Sequence, residues 1–326
     1  MKLLVTGVTG KVGQVFLPAF LSARRFSEWD VVVLCNNRVI ESSERVSVIS
    51  GSMSDEAVVA DALCDVTHVV HMASVKESPD LIFDVALKGL FVLLEEYRKS
   101  DQAKQFVLLS GDCVVGHIFH EYAAPITEAS APRAYSGCYA LTKVLEEAML
   151  EQFGNQYGVN WSTLRAPWIM DKDDFRYALE FGEGQFGGPP WTDMVDAQLL
   201  QRYSNGQFVP VLRDAGGQHL KRSFLHVDDL VSAILATIDN PQADRQLFNI
   251  AMNEPVDYGA IGELLHAKKG LEPVVIDTPF HSNWLDNSKA RMMLGWRPEI
   301  SLEQLIDRAW KYKREENDPR VVWYPG

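Results

Sequence analysis

The sequence has few cysteines, no long run of like charge and no long apolar stretch, and each absence excludes something. Its four cysteines (Cys35, Cys64, Cys113, Cys138) lie apart, without the CxxC spacing of a zinc or redox site and without the density of a disulfide framework. A reduced, cytoplasmic protein is the expectation. No apolar stretch approaches the roughly 18 to 20 residues that span a bilayer, so no membrane partner is expected. The opening Leu3-Leu4-Val5 run stops at Thr6-Gly7, short of a signal-peptide core, and reads as a buried strand. Basic residues cluster no further than the pairs Arg24-Arg25, Lys221-Arg222, Lys268-Lys269 and Lys313-Arg314, and 31 Lys+Arg against 44 Asp+Glu leave a net charge of −13. That excludes a surface tracking nucleic-acid phosphates, and leaves small ligands as the source of any bound phosphate.

What is present is an ordinary soluble composition of 326 residues, 47% hydrophobic and 23% charged. At about 150 residues per domain this is two domains or one large α/β unit. Short β-branched runs at residues 3–6, 31–34, 46–49, 68–72, 106–110 and 161–164 read as strands, and residues 11–23, 55–64, 81–99 and 138–157 carry apolar residues at helical spacing. The alternation predicts a Rossmann-type α/β fold, a doubly wound parallel sheet with helices on both faces. Pro18 removes a backbone donor inside the first helix and is expected to kink it. Beyond Leu164 the rhythm breaks. Residues 181–191 (FGEGQFGGPPW) suit either a lid over a pocket or an irregular surface connection. A strand-helix pair over 224–238 and a strand at 248–250 are expected to rejoin the sheet, and residues 253–326 read as helical with proline-marked turns. The predicted organisation is a first domain over 1–166, rejoined by 223–252, and a smaller second domain from 167–222 and 253–326.

Thr6-Gly7-Val8-Thr9-Gly10-Lys11-Val12-Gly13 stands directly after the first strand and opens the first helix. Glycines there permit a tight turn, close approach of a pyrophosphate to the backbone, and close helix-strand packing, while the helix N-terminus supplies free N–H groups. The pattern in this position points to NAD(P). The end of the second strand bears on which dinucleotide. An Asp or Glu usually takes the ribose hydroxyls of NAD, whereas a 2′-phosphate calls for Arg. Here Leu34-Cys35-Asn36-Asn37-Arg38 offers no carboxylate and one arginine, which favours NADP slightly over NAD unless Arg38 is a solvated turn residue.

Tyr139 and Lys143 are four residues apart in a helical stretch, one turn apart on one face. A free tyrosine with a pKa near 10 is too basic to exchange protons at neutral pH, and a nearby ammonium together with a cationic nicotinamide would lower it. Tyr139 is then suited to give or take the proton that accompanies hydride transfer.

With these motifs in one chain, the sequence resembles the extended short-chain dehydrogenase/reductase family, in its NAD-dependent epimerase/dehydratase branch, over nearly its whole length. The matching segments are residues 6–13, Val69-Val70-His71-Met72-Ala73, residues 106–116 and 139–143, Leu164-Arg165-Ala166-Pro167, residues 222–229, Phe248-Asn249-Ile250 and Leu294-Gly295-Trp296-Arg297-Pro298. The resemblance implies that Tyr139 is the acid/base and that Lys143 binds the nicotinamide ribose. It implies a cofactor site built from Gly7, Thr9, Gly10, Lys11, Val12, Gly13, Asn36, Arg38, Ser52, Met53, Met72, Ala73, Ser74 and Pro167 together with that pair. Ser74, Trp168 and Arg222 would meet a carbohydrate-like substrate, Arg222 through a phosphate or carboxylate.

The chain also departs from the family. The catalytic Ser or Thr that holds the substrate oxygen falls on Gly111, so the oxygen is left to Ser110, to Asp112 or to a backbone N–H. The Asp-Glu pair of sugar-nucleotide dehydratases falls on Asp112 and Cys113, and a thiol is a poor carboxylate substitute. Ala86 replaces a helix asparagine, and Trp168 or Ile169 stands where an asparagine often holds a nucleotide diphosphate. The leading function is therefore an NAD(P)-dependent oxidoreductase or epimerase acting on a secondary alcohol of a sugar, sugar acid or nucleotide sugar. The competing function is a non-catalytic NAD(P)-binding regulator of the same fold.

Four further features complete the reading. His117, His120 and Glu121 (HIFHE) lack metal-site spacing and read as a loop, so no metal is expected. Residues 311–316 (KYKREE) read as the exposed face of the last helix, and the apolar 321–326 is expected to dock on this subunit or a partner. The apolar helices 81–99 and 138–157 imply, by the resemblance, a homodimer.

Overall fold

A computed structural model of the chain describes residues 1–180, 191–203 and 207–318. The first half alternates as its pattern requires: β1 (Lys2–Thr6), α1 (Lys11–Ser22), β2 (Asp30–Cys35), β3 (Val46–Ser50), α2 (Glu56–Ala62), β4 (His68–His71), α3 (Pro79–Ile82), α4 (Gly89–Tyr97), β5 (Gln105–Gly111), α5 (Cys138–Tyr157) and β6 (Trp161–Ala166). The second half adds β7 (Trp168–Met170), α6 (Asp174–Tyr177), α7 (Ala197–Tyr203), β8 (Phe208–Arg213), β9 (Lys221–Arg222), β10 (Phe224–His226) and α8 (Val227–Thr237). It ends with β11 (Gln246–Asn249), β12 (Val256–Asp257), α9 (Tyr258–Lys269), β13 (Glu272–Asp277), α10 (Ser288–Met293) and α11 (Leu302–Lys311).

Seven strands form one all-parallel sheet in the order β11-β6-β5-β4-β1-β2-β3. Successive side chains of a strand point to opposite faces, so each strand serves two cores. Leu3 and Val5 of β1 pack with Phe16 and Phe20 of α1 and with Leu230 and Ile234 of α8. Leu4 packs on the other face with Leu90, Leu93 and Leu94 of α4 and with Leu150 and Phe153 of α5. The strand order reverses between β1 and β4. In a doubly wound sheet this opens a crevice at the carboxyl ends of those strands, where ligands bind.

Several details differ from the sequence pattern. The helix α1 runs unbroken through Pro18, since one lost backbone bond is outweighed by the burial of Phe16 and Phe20. The stretch read as one helix over 81–99 contains a π-helical turn, Phe83–Lys88, between α3 and α4. Of the strands expected to rejoin the sheet, only β11 does so; β10 pairs with β7. Pro167 sets this arrangement, because its missing N–H ends β6 and releases the chain into β7. The last segment is not purely helical. β13 alternates Val274 and Ile276 inward and pairs with β8 around a second core.

The last helix ends at Lys311, so residues 312–316 are not one of its faces. Arg314 instead turns back onto Asp173, with Nε–O distances of 3.0 Å and an Nη2–Oδ1 distance of 2.5 Å. The adjacent Asp174 accepts from Lys11 Nζ at 2.5 Å. Most of the Gly/Pro-rich stretch, 181–190, and the apolar 321–326 lie outside the described residues. Among the described residues no helix is long and apolar enough to cross a membrane.

Candidate active site

The glycine turn sits on the β1 side of the crevice. Gly7 has φ +75°, and a Cβ there would lie 2.5 Å from the Ala73 nitrogen, so the turn presses directly on the chain leaving β4. A Cβ on Gly13 would lie 2.4 Å from Gly7 O and Val8 Cα. Gly10 caps α1 and donates its N–H to Gly7 O at 3.0 Å. Thr9 is half-buried, and Val12 is buried against the sheet. Lys11 bends away toward Asp174 and the Ile169 carbonyl. Met72 N–H donates to Thr6 O, and Ala73 N–H to the Thr6 hydroxyl. Ser74 is exposed beyond them. Asn36 and Arg38 are exposed after β2, and a Gly51 N–H to Cys35 O bond brings Ser52 and Met53 beside the same strand end.

Across the crevice, the first two turns of α5 present Tyr139 and Lys143. Lys143 is 3% exposed and donates to Leu109 O at 3.1 Å and to Glu146 Oε2 at 2.7 Å. Its Nζ lies 5.9 Å from the centre of the Tyr139 ring, while Lys76 Nζ, from the segment after β4, lies 3.8 Å away. The neighbouring Glu77 accepts the Cys138 and Tyr139 backbone N–H groups, satisfying orphan donors at the start of α5. Burial pushes the Lys76 ammonium down to about 8. The Tyr139 phenol is driven well above 10, first by desolvation and then by Cys113 and Glu146. This reverses the lowering expected from Lys143 alone, because desolvation outweighs the pull of an ammonium that already faces Glu146.

In the second half of the chain Arg222 is 2% exposed, and its guanidinium lies 4.0 Å from the centre of the Trp168 ring. It meets His117 through a short contact, and His117 Nδ1 in turn lies 2.6 Å from Asp112 Oδ2. Desolvation, followed by the Arg222 charge, holds the His117 pKa below its usual value. Asp112, His117, Arg222 and Asn283 line one small cavity. No group of His, Cys, Asp and Glu that could hold a metal occurs among the described residues. Pro167 is buried between β6 and β7.

The model of the NAD dependent epimerase/dehydratase family matches residues 3–251. The chain belongs to this family. It is 25% identical to a UDP-glucose 4-epimerase of Yersinia enterocolitica over 96% of this chain and 98% of that protein. Its fold superposes on a short-chain dehydrogenase/reductase superfamily protein from Agrobacterium tumefaciens with bound NAD (TM-score 0.78, 24% identity, 95% and 96% of the two chains). It also superposes on the UDP-glucose 4-epimerase of Thermotoga maritima with UDP-glucose (TM-score 0.71, 23% identity, 96% and 98%). The chain is thus an enzyme of the NAD dependent epimerase/dehydratase family.

At Gly111 a Cβ would lie 3.2 Å from Cys113 Sγ, a tight contact to which that side chain would have to yield by a few tenths of an ångström. Ser110 is buried and donates to Glu147 Oε1 at 2.5 Å. Glu147 is also clamped by the Arg165 guanidinium at 2.7 to 3.2 Å. Asp112 is engaged by His117. Sequence reasoning missed Lys76, Glu77 and Glu146. The first two stand in a short charged segment after β4 that reads as surface, and only their place at the strand-order reversal distinguishes them. Glu146 leaves a trace, a carboxylate on the apolar face of a helix.

Proposed function

We propose that this enzyme transfers hydride between NAD(P) and a secondary alcohol or ketone of a sugar, sugar acid or nucleotide sugar. Tyr139 is the acid/base, and Lys143 the ribose-binding residue. The observation that carries this reading is the placement of Tyr139 and Lys143 opposite a glycine turn in which a Cβ at Gly7 or Gly13 would collide with backbone. That cradle fits a dinucleotide pyrophosphate, with Gly7, Gly10, Lys11, Val12 and Gly13 beneath it, Thr9 beside it, and Met72, Ala73, Ser74 and Pro167 along its path. When bound, the cofactor supplies the hydride acceptor or donor. Tyr139 exchanges the hydroxyl proton, and Lys143 holds the ribose and favours the phenolate. With the Ser110 hydroxyl spent on Glu147 and Asp112 held by His117, a backbone N–H near Gly111 is left to steady the substrate oxygen, in place of the Ser110 expected from the sequence.

Asn36, Ser52 and Met53 border the adenosine end, where the exposed Arg38 with no nearby carboxylate on β2 supports a slight preference for NADP. Arg222, a buried cation under Trp168, is assigned to an anionic group of the substrate, with Ser74 at the opposite rim. Residues 1–166 with 223–252 form the cofactor half, and 167–222 with 253–326 the substrate half. A homodimer through the 81–99 and 138–157 helices is supported by exposed Leu81, Phe83, Phe91, Leu141 and Leu145. All four cysteines are free, which supports a cytoplasmic location.

The test is absorbance at 340 nm over a panel of sugars, uronates and nucleotide sugars with both cofactors. Turnover of at least one class is expected. Tight cofactor binding without any turnover would favour the non-catalytic regulator and overturn the assignment.

A further inference from the structure

Glu146 is the most buried carboxylate among the described residues, at 0% exposure. One oxygen, Oε2, accepts from Lys143 Nζ at 2.7 Å, and the other, Oε1, is buried without a hydrogen-bond partner. Lys143 has two such contacts, to Glu146 and to the Leu109 carbonyl. An ammonium has three hydrogens, so one remains. A lysine this deeply buried loses its proton unless a counter-ion faces it.

Among the described residues no other counter-ion faces Lys143, and the Tyr139 phenol one turn away is held neutral by burial. On the same helix Glu147 is already matched by Arg165 from β6 and takes a hydrogen bond from Ser110 of β5. Facing Lys143 from β4 is His71, which burial and the Lys143 charge keep neutral at about 3. Lys76, beyond β4, is a second cation acting against Lys143. After β5, the Cys113 thiol is held protonated, pushed by burial to about 12. Asp112, in the same turn, is bound to His117.

We propose that Glu146 is the counter-ion that keeps Lys143 charged inside the site and leaves its third N–H for the cofactor ribose, making Glu146 a positioning residue for dinucleotide binding. The proposal rests on the assignment of Lys143 to the ribose made above. Glu146 acts through Lys143 and touches no reacting atom. Burial raises the Glu146 carboxyl pKa and the Lys143 charge lowers it, as expected for a pair whose two members depend on each other.

The experiment is NADH binding, followed by fluorescence at a series of pH values from 6 to 9. It compares wild type, Glu146→Gln and the double variant Glu146→Gln with Lys143→Arg. Lys76 titrates in all three, so their differences isolate position 143. Glu146→Gln is nearly isosteric and is expected to bind NADH progressively more weakly than wild type as pH rises, by up to about tenfold per pH unit, because a buried ammonium without its counter-ion gives up its proton. Arginine stays charged, so the double variant should follow the wild-type profile. Profiles for Glu146→Gln and wild type that run parallel at every pH overturn the proposal. If circular dichroism shows that Glu146→Gln does not fold, Glu146→Asp replaces it. The same fall, displaced to higher pH, is then expected, and a parallel profile is again fatal. Wild type that binds neither NADH nor NADPH would instead overturn the functional reading on which the proposal rests.

Discussion

The Lys76 ammonium stands 3.8 Å from the centre of the Tyr139 ring, closer than Lys143, the lysine one helical turn along. A cation over an aromatic face is attracted to it, but this one is also desolvated, and its pKa falls to about 8. In the unfolded chain the group titrates near its ordinary 10.5. The unfolded state therefore binds more protons between pH 8 and 10.5, and the cost of burying the Lys76 charge, full below pH 8, is relieved as pH rises through that window. Replacing Lys76 by Met should raise the melting temperature at pH 7 and have progressively less effect toward pH 10, the difference amounting to on the order of 2 kcal/mol. Calorimetric melting at both pH values checks it, and an equal shift at both would remove Lys76 as the source.

Tyr139→Phe should lower kcat by at least ~10²-fold, the usual scale for a general acid/base, with cofactor affinity nearly intact. Lys143→Ala should damage both. Calorimetry with NAD and NADP, alongside kinetics, separates the two roles, and small, equal effects would dismiss both.

At the glycine turn, Gly13→Ala places a Cβ 2.4 Å from Gly7 O and Val8 Cα, which are backbone and have no rotamer to yield. The turn must open. Loss of measurable NAD binding is expected, with a destabilisation of about 1 to 3 kcal/mol typical of overpacking, read from binding isotherms and denaturant melts.

Arg38→Ala should weaken NADP by about 1.5 to 3 kcal/mol, the range for a charged hydrogen bond, and leave NAD unchanged. Wild type that binds NAD more tightly than NADP would place Arg38 in solvent.

The exposed apolar residues Phe91 on α4 and Leu145 on α5 belong to one surface in the dimer reading. The double variant Phe91→Glu and Leu145→Glu should convert a dimer to a monomer in light scattering, because charge buried at an apolar interface is costly. Monomeric wild type at micromolar concentration would contradict the dimer.

The parallel sheet was legible because its central strands are apolar on both faces and a helix such as α1 is amphipathic, so residues 3–6, 31–34 and 11–22 carry their structure in their own pattern. The second half hid more. β13 has only six residues, begins Glu-Pro and buries just Val274 and Ile276, too little alternation to stand out from the helices around it. β7 and β10 have three residues each and exist only because they pair with one another. In the site, Tyr139 and Lys143 were visible through spacing on one helix. Lys76 reaches Tyr139 from a separate strand end 63 residues earlier, and Arg222 meets His117 across 105 positions. Such meetings are properties of topology, which no local window contains.

Asp173 and Asp174 are neighbours in the chain yet hold opposite ends of it, Arg314 on one side and Lys11 on the other. Whatever loosens residues 312–318 is therefore two adjacent carboxylates away from the first turn of α1. A purification tag or a truncation at the C-terminus is not remote from the glycine turn, despite some three hundred intervening residues. In hydrogen exchange the two regions should open as one cooperative unit. Additions are more safely placed at Met1, which is exposed at the end of the sheet opposite the crevice.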